Sequence, residues 1–362
     1  MAFFGMFPPV VTGQATANAL LCDHFEASGW RVERISLTPE GASPSGKARV
    51  AAKIAQYLRA YRRLLAPLPD CIYLSLEANN GKYLSLPIIA AATLAGRPCI
   101  IHHHAYSYIH RRPDLALKIM HGLAKSKLHV FQCDSMAAEF FSHLPTHRRH
   151  NHLTLSNAFL VPSHSIDRLH EADRVNLGFM GAVSQEKGVF RALEVAALLG
   201  RRGIANQLHV AGPCDEATRD EVNDLAAQNN VTVRWRGIVA GSSKQEFFKD
   251  IDVFLFPSTY GNETQGIVNL EAMAAGRPVI AIAQCCVRST IMPEGGLTTE
   301  TPEEFVALAT DAIADWQERQ AWPQLVTAAR AQFQHQHKSS LAELRALNDA
   351  ISNLTQGRGD RK

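Results

Sequence analysis

The hydrophobic positions of this 362-residue chain fall into short apolar runs separated by longer amphipathic stretches. In the first half the runs lie at residues 2–7, 31–35, 71–74, 98–103, 130–133 and 152–155. Their length suits strands better than helices. Between them, residues 14–27, 47–65, 83–95, 115–124 and 135–142 repeat their apolar positions at a helical period. The stretch 157–174, NAFLVPSHSIDRLHEADR, loses that period and carries Pro162, which predicts a hinge. The pattern then restarts, with strands predicted at 176–180, 207–211, 231–235, 253–256 and 278–281. Helices are predicted at 188–199, 217–228, 244–249 and 266–275, and after Glu303 the chain reads as helical, broken once at Pro323. No sequence repeat at a fixed period is present.

Strands that alternate with helices pair in parallel, because each crossover returns the chain to the same edge of its sheet. The expected fold is therefore α/β, with two Rossmann-like, doubly wound parallel-sheet domains at 1–160 and 161–362 facing a central cleft. The last helix is a candidate to pack back on the first domain. Open sheets of this kind bind ligands beyond the carboxyl ends of their strands. Binding proteins, epimerases and transferases can all be built this way, so the architecture alone names no activity.

Composition narrows the class. With 46% hydrophobic and 20% charged residues, the chain reads as a soluble globular protein. No apolar window reaches the 18 or more residues of a spanning helix, and the opening MAFFGMFPPVVTG lacks a basic leader and a cleavage site. A cytoplasmic location is expected. The seven cysteines are scattered without a CxxC pair, and several sit in apolar strand-like runs. Buried reduced thiols fit this better than a disulfide framework or a zinc site. Charge is uneven: residues 1–160 hold 17 Lys+Arg against 9 Asp+Glu, an excess of +8, whereas the remaining 20 and 25 leave the second part at −5. The first half is the one suited to anionic surfaces. Its segment 47–65 sets Lys47, Arg49, Lys53, Arg59, Arg62 and Arg63 among Val50, Ile54, Tyr57, Leu58 and Leu64. That pattern suits either peripheral contact with an anionic membrane or an ordinary solvated helix. No aromatic–basic surface that would read nucleic acid is present.

The most informative segment is 256–281, FPSTYGNETQGIVNLEAMAAGRPVIA. A strand ends, a polar loop carries Glu263, and a helix opens near Gly266 with Glu271 inside it. The junction offers backbone N–H groups from Gln265, Gly266 and Ile267 to phosphate or sugar oxygens. Glu271 can accept from ribose hydroxyls, and Glu263 can reach the far end of the same ligand. A second segment, LGFMGAVSQEKG at 177–188, runs a strand into a glycine turn and sets Lys187 before a helix. A cation there can stabilise a departing diphosphate. A third, FPPVVTGQATANA, brings Gly13 to the end of the first strand, although no GxGxxG is present. In a fourth, IIHHHAYSYIHRR at 100–112, three histidines close a strand. Alternate strand residues point to opposite faces, so the three cannot converge on one metal.

The 256–281 segment resembles the Glu-x7-Glu signature of retaining glycosyltransferases of family 4 (group 1 glycosyltransferases), including the following Glu-Ala-Met-Ala-x-Gly-x-Pro-Val-Ile. The resemblance implies a GT-B fold and transfer of a sugar from a nucleoside-diphosphate-sugar donor to a hydroxyl of a glycan or glycolipid, with no metal and no further cofactor. It implies that Glu263 contacts the donor sugar, Glu271 the nucleotide ribose and Lys187 the diphosphate. It further implies that main chain near Ile238, in WRGIV, holds the nucleobase, and that His104, with His103 as fallback, lies near the anomeric centre. The family's Gly-Arg-x-x-x-x-Lys-Gly departs here at Ala182, where the arginine is expected, and Arg288 or Arg236 are candidates to substitute. The match is strong over 176–281 and holds only in outline before that. A GT-B sugar-nucleotide epimerase and a non-catalytic sugar-nucleotide-binding protein are the rival readings. The tripeptide Arg358-Gly359-Asp360 in the polar tail reads as a chance occurrence.

Overall fold

The computed structural model describes residues 1–9, 12–39, 46–110, 119, 127–143, 151–163 and 173–356. The helix predicted at 115–124 and the tail tripeptide lie outside this set, apart from residue 119. The chain divides into two compact units, one of Met1–Leu160 with Ser340–Lys362 and one of Val161–Ser339.

The first unit is built on six parallel strands, β1 (Ala2–Gly5), β2 (Glu33–Ser36), β3 (Ile72–Leu76), β4 (Cys99–His103), β5 (Lys127–Phe131) and β6 (Asn151–Thr154). Their order is β2-β1-β3-β4-β5-β6. β1, β3 and β4 are buried along their whole length, Ser75, His102 and His103 included, while edge strands β2 and β6 are partly exposed. Helices Gly13–Ala27, Gly46–Tyr61, Gly81–Leu94 and Asp134–Ser142 are among the crossovers. β5 begins at Lys127, ahead of its apolar run, because pairing with β4 sets Cys99 opposite Lys127.

The core of this unit gathers Phe3, Leu21, Phe25, Tyr73, Ile100 and Val130, with Phe3 stacked on Tyr73 at 4.4 Å. Leu344, Leu347 and Ile351 complete it. These come from the 35-residue helix Trp322–Gln356, the last described element of the chain. Polar bonds fix its register: Trp30 Nε1 donates to Asn348 Oδ1 at 2.8 Å, and the Ser156 N–H donates to Glu343 Oε2 at 2.8 Å. Cys22 and Cys71 are free and buried, and Cys99 is buried as well. Burial pushes the Cys22 thiol up to about 12 and that of Cys71 to about 11, which leaves both unreactive.

The second unit has β7 (Val175–Met180), β8 (Asn206–Ala211), β9 (Val233–Gly237), β10 (Val253–Phe256), β11 (Val279–Ile282) and β12 (Gly296–Thr299). Their order is β12-β11-β10-β7-β8-β9, again all parallel. Strand β12, of sequence GLTT, has no apolar run to announce it and exists through its register with β11. Helix Pro302–Glu318 opens on a capping box in which Thr301 and Glu304 satisfy each other's backbone N–H groups. The chain winds outward from β7 to β9, crosses back to β10 and winds outward again. Neighbours β7 and β10 are therefore the switch point of this sheet, where a crevice opens at the carboxyl ends. In the first unit the corresponding neighbours are β1 and β3. Among the described residues, no helix is long and apolar enough to cross a membrane.

Candidate active site

The segments leaving β7 and β10 are bound to each other. Gly188, the residue before helix Val189–Arg201, has φ +90°, and a Cβ there would fall 2.3 Å from the carbonyl oxygen of Pro257. Only glycine allows that approach. Next to it, the Thr259 N–H donates to the Glu186 carbonyl at 2.8 Å. This contact brings Lys187 against the loop that carries Glu263. Lys187 Nζ lies 2.5 Å from Glu263 Oε2, with the side chains 21% and 14% exposed, and 4.4 Å from the centroid of the Tyr260 ring. A pair this far withdrawn from water holds its geometry more firmly than a surface pair.

Helix Ile267–Ala274 starts in the same crevice. Gly266 precedes it with φ +65°, where a Cβ would meet Asn269 Nδ2 at 2.7 Å and the Phe256 ring at 2.8 Å. The buried Asn269 Nδ2 donates to the Gln265 carbonyl at 3.2 Å, and Gln265 Nε2 donates to Thr290 Oγ1 at 3.2 Å. The helix mouth is thus rigid, and N–H groups of its first turn have no carbonyl partner within the helix. Glu271 follows one turn in. Its Oε1 accepts from Lys244 Nζ at 2.8 Å, while its Oε2 is buried without a hydrogen-bond partner. Lys244 was not foreseen from sequence, since it lies on helix Ser242–Asp250 amid other polar residues with nothing to mark it. Ile238, just beyond β9, is 74% exposed.

The position of the absent arginine, Ala182, is exposed. Both candidate replacements are engaged by carboxylates: Arg236 Nη2 binds Asp250 Oδ2 at 2.5 Å, and Arg288 binds Glu300. Lys187 and Lys244 are the cations paired with Glu263 and Glu271.

In the first unit, Gly13 opens helix Gly13–Ala27, capped by Thr12, whose Oγ1 accepts from the Ala15 N–H at 3.1 Å. The histidines at the end of β4 divide as the strand period requires. His102 and His104 share a face, their ring centroids 3.9 Å apart, and the Tyr73 hydroxyl lies 2.8 Å from His102 Nδ1. His103 is fully buried on the other side, stacked on Phe131, with Nε2 2.9 Å from His129 Nδ1 and Nδ1 3.2 Å from the Tyr108 hydroxyl. His104 is only half-buried, and its Nε2 has no partner. Burial lowers its pKa to about 3, so the ring is neutral. Both ring nitrogens of His103 are engaged in the core, whereas the Nε2 of His104 is buried without a hydrogen-bond partner. A further residue at this edge, Glu77 just past β3, is buried and ion-paired with Lys53.

Two parallel sheets with these strand orders are those of the GT-B fold. Residues 162–325 match the model of the family "Glycosyl transferases group 1". Among curated relatives, an uncharacterized glycosyltransferase, MJ1607, of Methanocaldococcus jannaschii is 38% identical over 104 residues, 28% of this chain and 25% of that one. The match thus spans about a quarter of that relative's length. Among solved structures, sucrose-phosphate synthase from Thermosynechococcus elongatus superposes with a TM-score of 0.74 at 16% identity, covering 98% of this chain and 99% of that one. Anabaena Alr3699/HepE in complex with UDP superposes with a TM-score of 0.67 at 14% identity, covering 97% and 99%. These structures establish a shared fold.

Proposed function

We propose that this chain is a retaining glycosyltransferase that moves a sugar from a nucleoside diphosphate to a hydroxyl of a glycan or glycolipid, without a metal ion. The observation that carries the reading is the withdrawn Lys187–Glu263 pair at the β7/β10 switch point, with Glu271 on the adjoining helix. Lys187 and the N–H groups at Gly266 and Ile267 would take up the negative charge that grows on the departing diphosphate. Glu263 would hold sugar hydroxyls. The unpartnered Oε2 of Glu271 would accept from the ribose, with Lys244 fixing the carboxylate. Main chain at Ile238 would hold the base. The first unit would take the acceptor. The likeness to a structure solved with UDP supports a uridine nucleotide as the first donor to test.

The departing phosphate oxygen would receive the acceptor's proton on the face it leaves, so no dedicated base is needed. With UDP-glucose and a lipid or oligosaccharide acceptor, proton NMR should show a new α-glycoside, and activity should persist in EDTA. A β-glycoside would exclude retention, an isomerised sugar nucleotide would favour the epimerase, and loss of activity restored by magnesium would exclude the metal-free mechanism.

The work is proposed to take place in the cytoplasm, in cell-surface polysaccharide or lipid-linked glycan synthesis, with peripheral membrane contact. Helix Gly46–Tyr61 supports the contact, since Val50, Ile54 and Leu58 are 60%, 44% and 58% exposed in one stripe beside exposed Lys47 and Arg59. The protein should sediment with phosphatidylglycerol vesicles, and Ile54→Glu should abolish this. Equal recovery of both proteins would remove the membrane from the proposal.

A further inference from the structure

A second polar site lies in the second unit, on the β7–β8–β9 side of its sheet. A cavity of about 230 Å³ is lined there by Arg174, Arg234 and Arg236, by Asn176 and Gln207, and by His209 and Asp250. The strand register explains the grouping. Asn176 pairs with Gln207 and His209 with Arg234, so alternate positions of three neighbouring strands share one face. A sheet face is ordinarily apolar where a helix covers it. Here helix Ser242–Asp250 packs Phe247 toward Gly178 of β7, and the outer strands β8 and β9 carry amides, imidazole and guanidinium instead.

The polar groups bond to one another without using up their donors. Asp252 Oδ2 accepts from Asn176 Nδ2 at 2.8 Å, Asn176 Oδ1 accepts from Gln207 Nε2 at 2.6 Å, and Gln207 Oε1 accepts from Arg234 Nε at 2.7 Å. Arg236 is set by Asp250 at 2.5 Å. Arg174 makes no ion pair among the described residues. The three guanidinium groups thus face one lining carboxylate, and N–H groups remain on each. His209 gives the independent sign of an occupant. It is 3% exposed, and neither ring nitrogen has a hydrogen-bond partner. One of the two must carry a proton, so a buried donor is left without an acceptor, an arrangement that native interiors avoid.

We propose that this cavity binds a phosphate dianion, free or as the end of a phosphomonoester, through Arg174, Arg234 and Arg236, with a ring N–H of His209 donating from the floor. Guanidinium forks match the tetrahedral oxygens of phosphate, and hydrogen bonds between charged partners are the strongest available. The volume is below the roughly 300–1,000 Å³ of sites for drug-sized ligands, which limits the ligand to a phosphate with a small substituent. Burial, and then Arg236, lower the His209 pKa to about 4, and an anion seated here would offset both effects. The charged or titratable groups facing it are the three arginines and Asp250, with Asp252 behind Asn176. The site is distinct from the candidate active site: Arg174 and Asn176 stand at the amino end of β7, whereas Lys187 follows its carboxyl end. It does not depend on the transferase reading.

The test is calorimetric titration of the full chain with inorganic phosphate, chloride being adjusted to hold ionic strength constant. One saturable site is expected. Binding should weaken about tenfold or more in Arg174→Ala and in Arg234→Ala, and should be unchanged in Lys187→Ala. Arg174 is exposed and its removal should leave the fold intact by circular dichroism, which keeps the comparison valid if Arg234→Ala is unstable. Glycerol phosphate provides the second arm. Tighter binding than phosphate assigns the monoester, weaker binding assigns the free ion, and both uphold the site. Absence of saturable binding would overturn the proposal. So would binding that is lost with Lys187 and indifferent to the arginines, since phosphate would then be occupying the candidate active site.

Discussion

Replacing Lys187 with alanine is expected to lower kcat/KM for sugar transfer by about a hundredfold or more, the usual cost of losing a group that stabilises developing charge. On the proposed reading the leaving diphosphate would have no arginine from position 182, so the burden on Lys187 would be larger than where two cations share it. Lys187→Arg should recover part of the rate, because the charge is kept while its position shifts. Glu263→Gln tests the other half of the pair. If Glu263 holds sugar hydroxyls, the amide should cost tenfold or more in kcat/KM, on the order of 1.4 kcal/mol. If Glu263 serves only to position Lys187, the two single variants and the double variant should all be impaired to the same extent. Steady-state kinetics on the four proteins, with circular dichroism to verify folding, resolves this. Wild-type kcat/KM in Lys187→Ala would remove the pair from the chemistry.

The second large effect is on stability. His102 and His104 in the first unit, and His209 in the second, are held neutral by burial, with His104 lowered to about 3 and His209 to about 4. In the unfolded chain each takes up a proton as pH falls through about 6.5. The unfolded state then holds more protons than the native one, so stability declines with falling pH from 6.5 down to the lowered values. Each group contributes a slope of about 1.4 kcal/mol per pH unit once its unfolded form is protonated. The urea midpoint of each unit should therefore fall between pH 6.5 and 5, before carboxylates titrate. The first unit, where burial lowers His24 as well as His102 and His104, should lose more than the second. His104→Gln should flatten the slope of the first unit alone. A midpoint independent of pH over this interval would mean that these rings are charged or hydrated in the native state.

How much of this was legible beforehand differs between elements and site. Strands such as β10, VFLF, and β11, VIAI, were readable because a central parallel strand is buried on both faces and must be apolar throughout. Strand β12 was not, because an edge strand of glycine, leucine and threonine carries no such demand. At the site, the glutamates and Lys187 stood out through the resemblance of two short segments to a family signature. Lys244 did not: its partner Glu271 is 27 positions away, on another helix. The histidine run left two candidates, and their surroundings differ: His103 packs on Phe131 and is bonded at both ring nitrogens, whereas the Nε2 of His104 has no partner.

By itself the sequence determined the alternation of strand and helix, hence two parallel sheets, and it singled out Glu263, Glu271 and Lys187 as candidates. Those properties are local, since periodicity and short-range spacing are written in consecutive residues. The structure alone decided strand order, and with it the switch point that brings the turn after β7 beside the loop after β10. It also decided that Lys187 meets Glu263 across 76 positions, and that three arginines from separate segments line one cavity. Such juxtapositions arise from packing between distant segments, and no property of neighbouring residues encodes them.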